Sequence, residues 1–358
     1  MSHKYNCFHI HGDNIVECDR TLRLVELALA DQLSSVAGPS GSPVCPSFTF
    51  QIRGKNKPWQ FTFFPGFGRW KEDILQLVRS RGGNLREAAD SIITGVTSDR
   101  EEPLLAIEYC GALPAGNQAW QRNGRAYSFG CARIPYVYVA EIGGYELDLQ
   151  RTRKAPRLPN PAVPFSYLSY SLSQETPVIP VFIASPGTGQ ESRRDYAEIF
   201  ADSELIRLVR AVLFNEPVCD VVKALNKKVV ALVGLRASLC RPERSLSPEE
   251  WVEAYQTIEG KATLVEYLLK AKPLAWSKKT SIKSLTPSAK QLMKIASRHA
   301  IGMTSRDLPI CVVSGDKRSE FSEDVKGLYK KLPEQFMEWL ARPVPLTICW
   351  VLGFKPRG

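Results

Sequence analysis

The chain has 358 residues, 44% hydrophobic and 23% charged, an ordinary globular composition but longer than a usual single domain, so two parts are expected. Its formal net charge of +10 favours an anionic partner, nucleic acid first. Nine Cys lie scattered with no C-x-x-C pair, which argues against zinc fingers and for reduced thiols in a cytoplasmic protein; no apolar run approaches the roughly 18 residues of a membrane span, so no membrane partner is expected.

In chain order, the opening MSHKYNCFHIHGDN has no apolar core of the signal-peptide kind, and YNCFHIHG within it predicts a short strand. Asp13 or Asn14 is suited to cap a helix through IVECDRTLRLVELALADQL, whose apolar residues recur at helical spacing. AGPSGSPVCPS (37–47) reads as a loop. FTFQIRG and WQFTFFPG read as a hairpin, and RWKEDILQLVRSRGG as a helix stopped by Gly82 and Gly83. DSIITGVTS and PLLAIEYC predict two strands around a charged turn, DREE. NQAWQRNGRAYSF predicts a helix and IPYVYVAEI a strand. The Pro-rich stretch 151–189 opens on a basic cluster and holds one apolar strand, VIPVFIA. From about residue 190 the pattern is mainly helical, including ESRRDYAEIFADSELIRLVRAVLF, with late apolar runs PICVVSG and PLTICWVLGF as further strands. The expected division is 1–189 and 190–358.

The stretch LLAIEYCGALPAGNQAWQRNGRAYS carries the chemistry. If residues 90–110 fold as a hairpin about Asp99, Asp90 lies opposite Glu108. Directly opposed residues on antiparallel strands point to one face with Cβ atoms roughly 5 Å apart. Two carboxylates there repel and lose hydration, and a hard divalent cation between them, Mg2+, resolves both problems. Cys110 shares their face. Gln118, Arg122 and Arg125 recur at helical spacing on the crossover that follows, suited to hydrogen-bond phosphate oxygens. The plainer alternative for Glu108 is a strand-end carboxylate paired with Arg122 or Arg125.

Asp90, Glu108-x-Cys110, the Gln/Arg-bearing helix and the strand after it together resemble the core of the PD-(D/E)xK nuclease superfamily over roughly residues 90–142. The resemblance implies an α/β (α+β) fold with a restriction-endonuclease-like mixed central sheet flanked by helices, and a mostly helical C-terminal part. It implies a Mg2+-dependent type II restriction endonuclease cutting double-stranded DNA, commonly as a homodimer. Asp90 and Glu108 would be the metal ligands. Two positions depart from the family: Ala89 stands where Pro is frequent, and Cys110 where Lys is usual. Gln118 is the candidate to replace that Lys. Glu17 is the candidate for the helix-borne Glu that members often bring close to the metal. The alternatives are a repair or mobile-element nuclease with the same core, and a non-catalytic DNA-binding protein in which Cys110 marks a decayed site.

Two basic clusters are candidates for the DNA backbone: Arg151, Arg153 and Lys154, and the run from Lys270 to Arg298, which has eight Lys/Arg and no acid and includes Lys278, Lys279 and Lys283. His9-x-His11 is explained by strand alternation, because four His in the whole chain are too few for a His-rich two-metal hydrolase. SPGTGQESRRD lacks the G-x-x-x-x-G-K-[ST] pattern, so no nucleotide cofactor is expected.

Overall fold

The computed structural model describes residues 4–67, 74–83, 88–98, 100–110, 122–142, 167–168, 170–171, 174–184, 190–240, 287–304, 310–313, 315–328, 332, 334–343 and 346–349. The fold is mixed α/β: among these residues there are nine α-helices, an eight-stranded mixed sheet and a separate three-stranded sheet. No helix among them is long and apolar enough to cross a membrane. The chain divides into two units, residues 1–159 with 163–232, and residues 160–162 with 233–358.

In the first unit, β1 (Cys7–Gly12) leads into α1 (Ile15–Leu29), and β2 (Leu33–Ser42), β3 (Cys45–Ile52) and β4 (Trp59–Pro65) follow. Next come α2 (Ile74–Ser80), β5 (Ser91–Val96), β6 (Glu101–Cys110), α3 (Asn123–Cys131), β7 (Tyr136–Ile142) and β8 (Val178–Ala184). The helices α4 (Gln190–Asp195) and α5 (Asp202–Phe214) follow, and α6 (Cys219–Cys240) begins in this unit, which ends at residue 232. The strand order is β2-β3-β4-β1-β5-β6-β7-β8. β1 is parallel to β4, and β6, β7 and β8 are parallel to one another. β5 runs antiparallel to both β1 and β6, so the carboxyl ends of β1, β4, β6, β7 and β8 share one edge.

Alternation decides the two faces. Phe8 and Ile10 of β1 and Trp59, Phe61 and Phe63 of β4 are all buried on one face. Phe8 stacks on Phe61 at 4.9 Å between centroids. Each such side chain contributes about 2–3 kcal/mol when fully buried. Against this face α1 lays Leu22, Val25, Ala28 and Leu29, and Phe214 of α5 meets Trp59 at 4.9 Å. Asn14 caps α1, accepting from the Val16 and Glu17 amides at 2.9 and 3.1 Å. The helix starts hard against the strand: a Cβ on Gly12 would stand 2.6 Å from Cys18 Sγ. The other face is more polar. It carries His9 and His11 on β1, and over β7 and β8 it is covered by α3, whose Phe129 stacks on Tyr136 at 5.5 Å.

Three local expectations change. The stretch 37–47 is not a loop: β2 and β3 run as a hairpin through it, with Pro43 and Val44 between them. β2 is an exposed edge strand rich in Gly, Ser and Pro, so it has no apolar alternation to read; its pairing comes from the β3 backbone, with register shifts on either side of Val36. The expected helix over 191–214 is two, because Tyr196–Ala201 turns back and Ala201 donates to Phe182 O of β8 at 2.8 Å. Glu101 and Glu102, expected in a turn, are the first residues of β6.

The second unit holds α7 (Pro287–Arg298), β9 (Ala300–Thr304), β10 (Ile310–Val313), α8 (Arg318–Leu328), α9 (Glu334–Leu340) and β11 (Leu346–Cys349), with sheet order β11-β10-β9. Its core gathers Ala296, Val313, Phe321, Val325 and Leu340. Buried Arg318 satisfies the last carbonyls of α9, donating to Leu340 O at 2.5 Å and Trp339 O at 2.6 Å. The late apolar runs are strands as expected; β9 has no counterpart in the sequence reading.

Candidate functional site

The hairpin β5–β6 positions the acidic residues. Ser91 pairs with Ile107, and the same register continued by one residue sets Asp90 opposite Glu108. That register is reached by an indirect route. Nearer the turn, Thr94 pairs with Pro103 and Val96 with Glu101, one residue out of step with the far end. Leu104 is the extra residue, a β-bulge between the pairs Ile93–Leu105 and Thr94–Pro103. Glu101 and Glu108 are an odd number of residues apart and would face opposite sides of a regular strand. The bulge brings both onto the polar face with Asp90, Thr94, His9 and His11.

At the carboxyl end, Asp90 is fixed by the chain around it. Its Oδ2 accepts from the Tyr109 amide at 2.8 Å, and its own carbonyl accepts from the Asp13 amide at 3.0 Å. Burial holds its carboxyl above the usual range, against the Tyr109 amide and the Arg122 and Arg125 charges. Glu108 is fully buried. Arg122 Nε donates to its Oε1 at 2.5 Å, and Arg125 Nη1 to Oε1 and Oε2 at 2.7 and 2.9 Å. Arg125 also lies 3.8 Å from Asp90 Oδ1. Burial and the neighbouring Asp90 charge push the Glu108 carboxyl up to about 7, and the two guanidinium groups pull the other way. The ion pairs weighed for Glu108 from the sequence are therefore both present.

Glu17 reaches the same edge from the first turn of α1. Its Oε2 is buried without a hydrogen-bond partner, and burial with the Asp90 charge raises its pKa. Three carboxyls thus have their ionised forms disfavoured around one strand edge. Nearby, Tyr109 Oη and Thr21 Oγ1 share a hydrogen bond at 3.1 Å, and Arg20 sits 4.1 Å over the Tyr109 ring, locking α1 to β6. Cys110 is buried on the Glu108 face. Gln118, Arg151, Arg153, Lys154, Lys278, Lys279 and Lys283 lie outside the described residues.

A second group on the polar face escaped the sequence reading. Glu101 Oε1 meets His11 Nε2 at 2.5 Å and His9 Nδ1 at 3.2 Å, and Thr94 Oγ1 donates to the same oxygen. Burial opposes ionisation of Glu101, but bonds from His11, His9 and Thr94 outweigh it and hold the carboxyl far below the ordinary range. The available signal was His9-x-His11 on one strand face. The third partner comes from about ninety residues away, and nothing local in the sequence marks it.

No known family model matches the chain, and no curated protein or solved structure matches it.

The unpartnered Glu17 oxygen and the raised Asp90, Glu17 and Glu108 carboxyls fit a divalent cation, because a nearby double charge would favour all three ionised forms. Hard carboxylate oxygens suit Mg2+. Asp90 and Glu108 would hold it, with Glu17 at its margin.

Proposed function

We infer that this chain is a Mg2+-dependent endonuclease of the restriction type, built on a restriction-endonuclease-like core, and that it hydrolyses phosphodiester bonds in double-stranded DNA. The observation that carries this reading is the meeting of Asp90 and Glu108 with a buried, unpartnered Glu17 oxygen at the carboxyl edge of five strands, the edge where open α/β sheets bind ligands. A divalent cation bound there supplies Lewis-acid polarisation of the phosphate and a more acidic water.

The chain's own groups do the rest. The Tyr109 amide keeps Asp90 oriented. Arg122 and Arg125 pair with Glu108 in this structure. Their side chains are 21% and 22% exposed, so they are within reach of an incoming anion. In the reaction they turn toward phosphate oxygens and stabilise the charge that develops there. Gln118 is the residue assigned to orient the attacking water, and the basic clusters 151–154 and 278–283 are assigned to contact the DNA backbone.

The test is incubation with unmethylated phage DNA, with Mg2+ or with EDTA, for the native chain and for Glu108→Ala and Asp90→Asn. Discrete fragments that require Mg2+ and both acids are the expected result. Intact DNA from folded chain that binds it equally in EDTA favours the binding-protein reading, to which buried Cys110 in place of a Lys already lends weight.

A further inference from the structure

The His9–His11–Glu101 group lies apart from the nuclease site. Glu101 meets Thr94, which lies four positions along the chain from Asp90, about 13 Å when extended, so this group is centred away from the Asp90–Glu108 pair. We propose that His9 Nδ1, His11 Nε2 and a Glu101 carboxylate oxygen form a separate site for a late first-row divalent transition metal, zinc above all, that fastens β1 to β6 across β5.

The geometry carries the argument. The three ligand atoms all lie within 4.8 Å of one another. Ligands at zinc distances in a tetrahedral site stand about 3.3 Å apart. His9 Nδ1 and Glu101 Oε1 are already at 3.2 Å, and His11 Nε2 and Glu101 Oε1, at 2.5 Å, need to part by less than one ångström. Side-chain rotation alone opens the group to an ion. Three donors, His9, His11 and Thr94, converge on one carboxylate oxygen. A bound cation takes over the role of the two ring protons, and the Thr94 hydroxyl remains to orient the carboxylate from behind.

The surroundings match such a centre. His11 is 2% exposed and Glu101 13%, while His9 at 21% leaves a path for entry and an outer position for water. Phe64 backs both imidazoles, with ring centroids 4.5 Å from His9 and 5.2 Å from His11, which makes an apolar wall. Two imidazole nitrogens to one carboxylate select zinc, cobalt or nickel over magnesium, which prefers oxygen throughout. The Leu104 bulge has its reason here: without it Glu101 would turn from the histidines.

The experiment uses the full chain, stripped with chelator, dialysed, and titrated with zinc chloride while bound metal is counted by mass spectrometry. A single equivalent of zinc per chain is expected, with magnesium chloride giving none. It should be lost in both His9→Ala and Glu101→Gln, each verified as folded by circular dichroism. Melting temperature should rise by about 5 °C at zinc a hundredfold above its Kd. His9 is the most exposed ligand, so His9→Ala tests the site with little risk to the core. Binding of well under one equivalent, or an equivalent kept by both folded variants, overturns the site. DNA cutting plays no part in these readouts, so failure here leaves the nuclease reading untouched.

Discussion

Glu101 and Glu108 begin and nearly end the same strand, share one face, and are both largely shielded from water, yet their carboxyls are pushed in opposite directions. Burial works against the charged form at both. At Glu101 it is overcome by three hydrogen bonds onto one oxygen with no other acid among its partners. At Glu108 it prevails with help from Asp90, although two arginines donate to the carboxylate. Opposite charges at hydrogen-bond distance are therefore not enough to settle an acid's state. Loss of hydration is the larger cause at Glu108, and the second acid across the strand pair adds to it. The Glu101 end is satisfied by its own neighbours, whereas at the Glu108 end burial holds the carboxyl up even against two arginines.

The sharpest way to break this contrast is to remove an acid at the Glu108 end. Glu108→Ala or Asp90→Asn should reduce DNA cutting about 10³-fold, read by nicking of supercoiled plasmid; retention of cutting would move catalysis away from this edge. Removing a cation is next. Arg125→Ala leaves Glu108 buried with one guanidinium, and denaturant unfolding should show a loss of about 3–5 kcal/mol. Adding Glu108→Gln should recover much of it, because the uncompensated charge is then gone.

The opposite shifts also predict opposite pH responses. A carboxyl raised from 4.5 to about 7 binds its proton more tightly folded than unfolded. Its contribution is complete below pH 4.5 and is lost as pH rises through 7. The native chain should lose on the order of 3 kcal/mol across that window, and Glu108→Gln should flatten the curve. Glu101, held low, contributes in the reverse sense: its stabilisation is present above its ordinary pKa and disappears only in strong acid. Denaturant midpoints across a pH series check both signs. The smallest effect belongs to Asn14. Its replacement by Ala removes the cap of α1 and should cost about 1 kcal/mol in a thermal melt, with some of the order around Glu17 lost as well.

What the sequence made legible follows from how local each signal is. β1, β4, β7 and β8 were readable because their apolar residues alternate or run together, and α1 because Asn14 and the helical spacing of Leu22, Val25 and Leu29 agree. The pairing of Asp90 with Glu108 was reached from a simple fold about Asp99, and the register at the strand end is that one. The turn end is a residue out of step, however, and a bulge makes up the difference, which no residue type at Leu104 announces. Glu101 was lost in the run DREE, where four charges in four residues look like solvent-facing turn. β2 was hidden because its order comes from the backbone of β3. The His9–Glu101 contact was hidden because it joins distant positions, and one chain offers no second copy in which to see them vary together.

Leu104 can be seen as a phase shift in a two-step wave. Ahead of it the odd positions of β6 face the histidines; beyond it the even positions do. A single codon therefore decides whether this face carries both acids or one. A descendant that lost it could keep Glu108 in step with Asp90 or Glu101 in step with His9 and His11, but would need a second change to keep both. The two chemistries proposed for this face are thus tied by the parity of one strand, and drift in length at this point would separate them more readily than any substitution of the acids themselves.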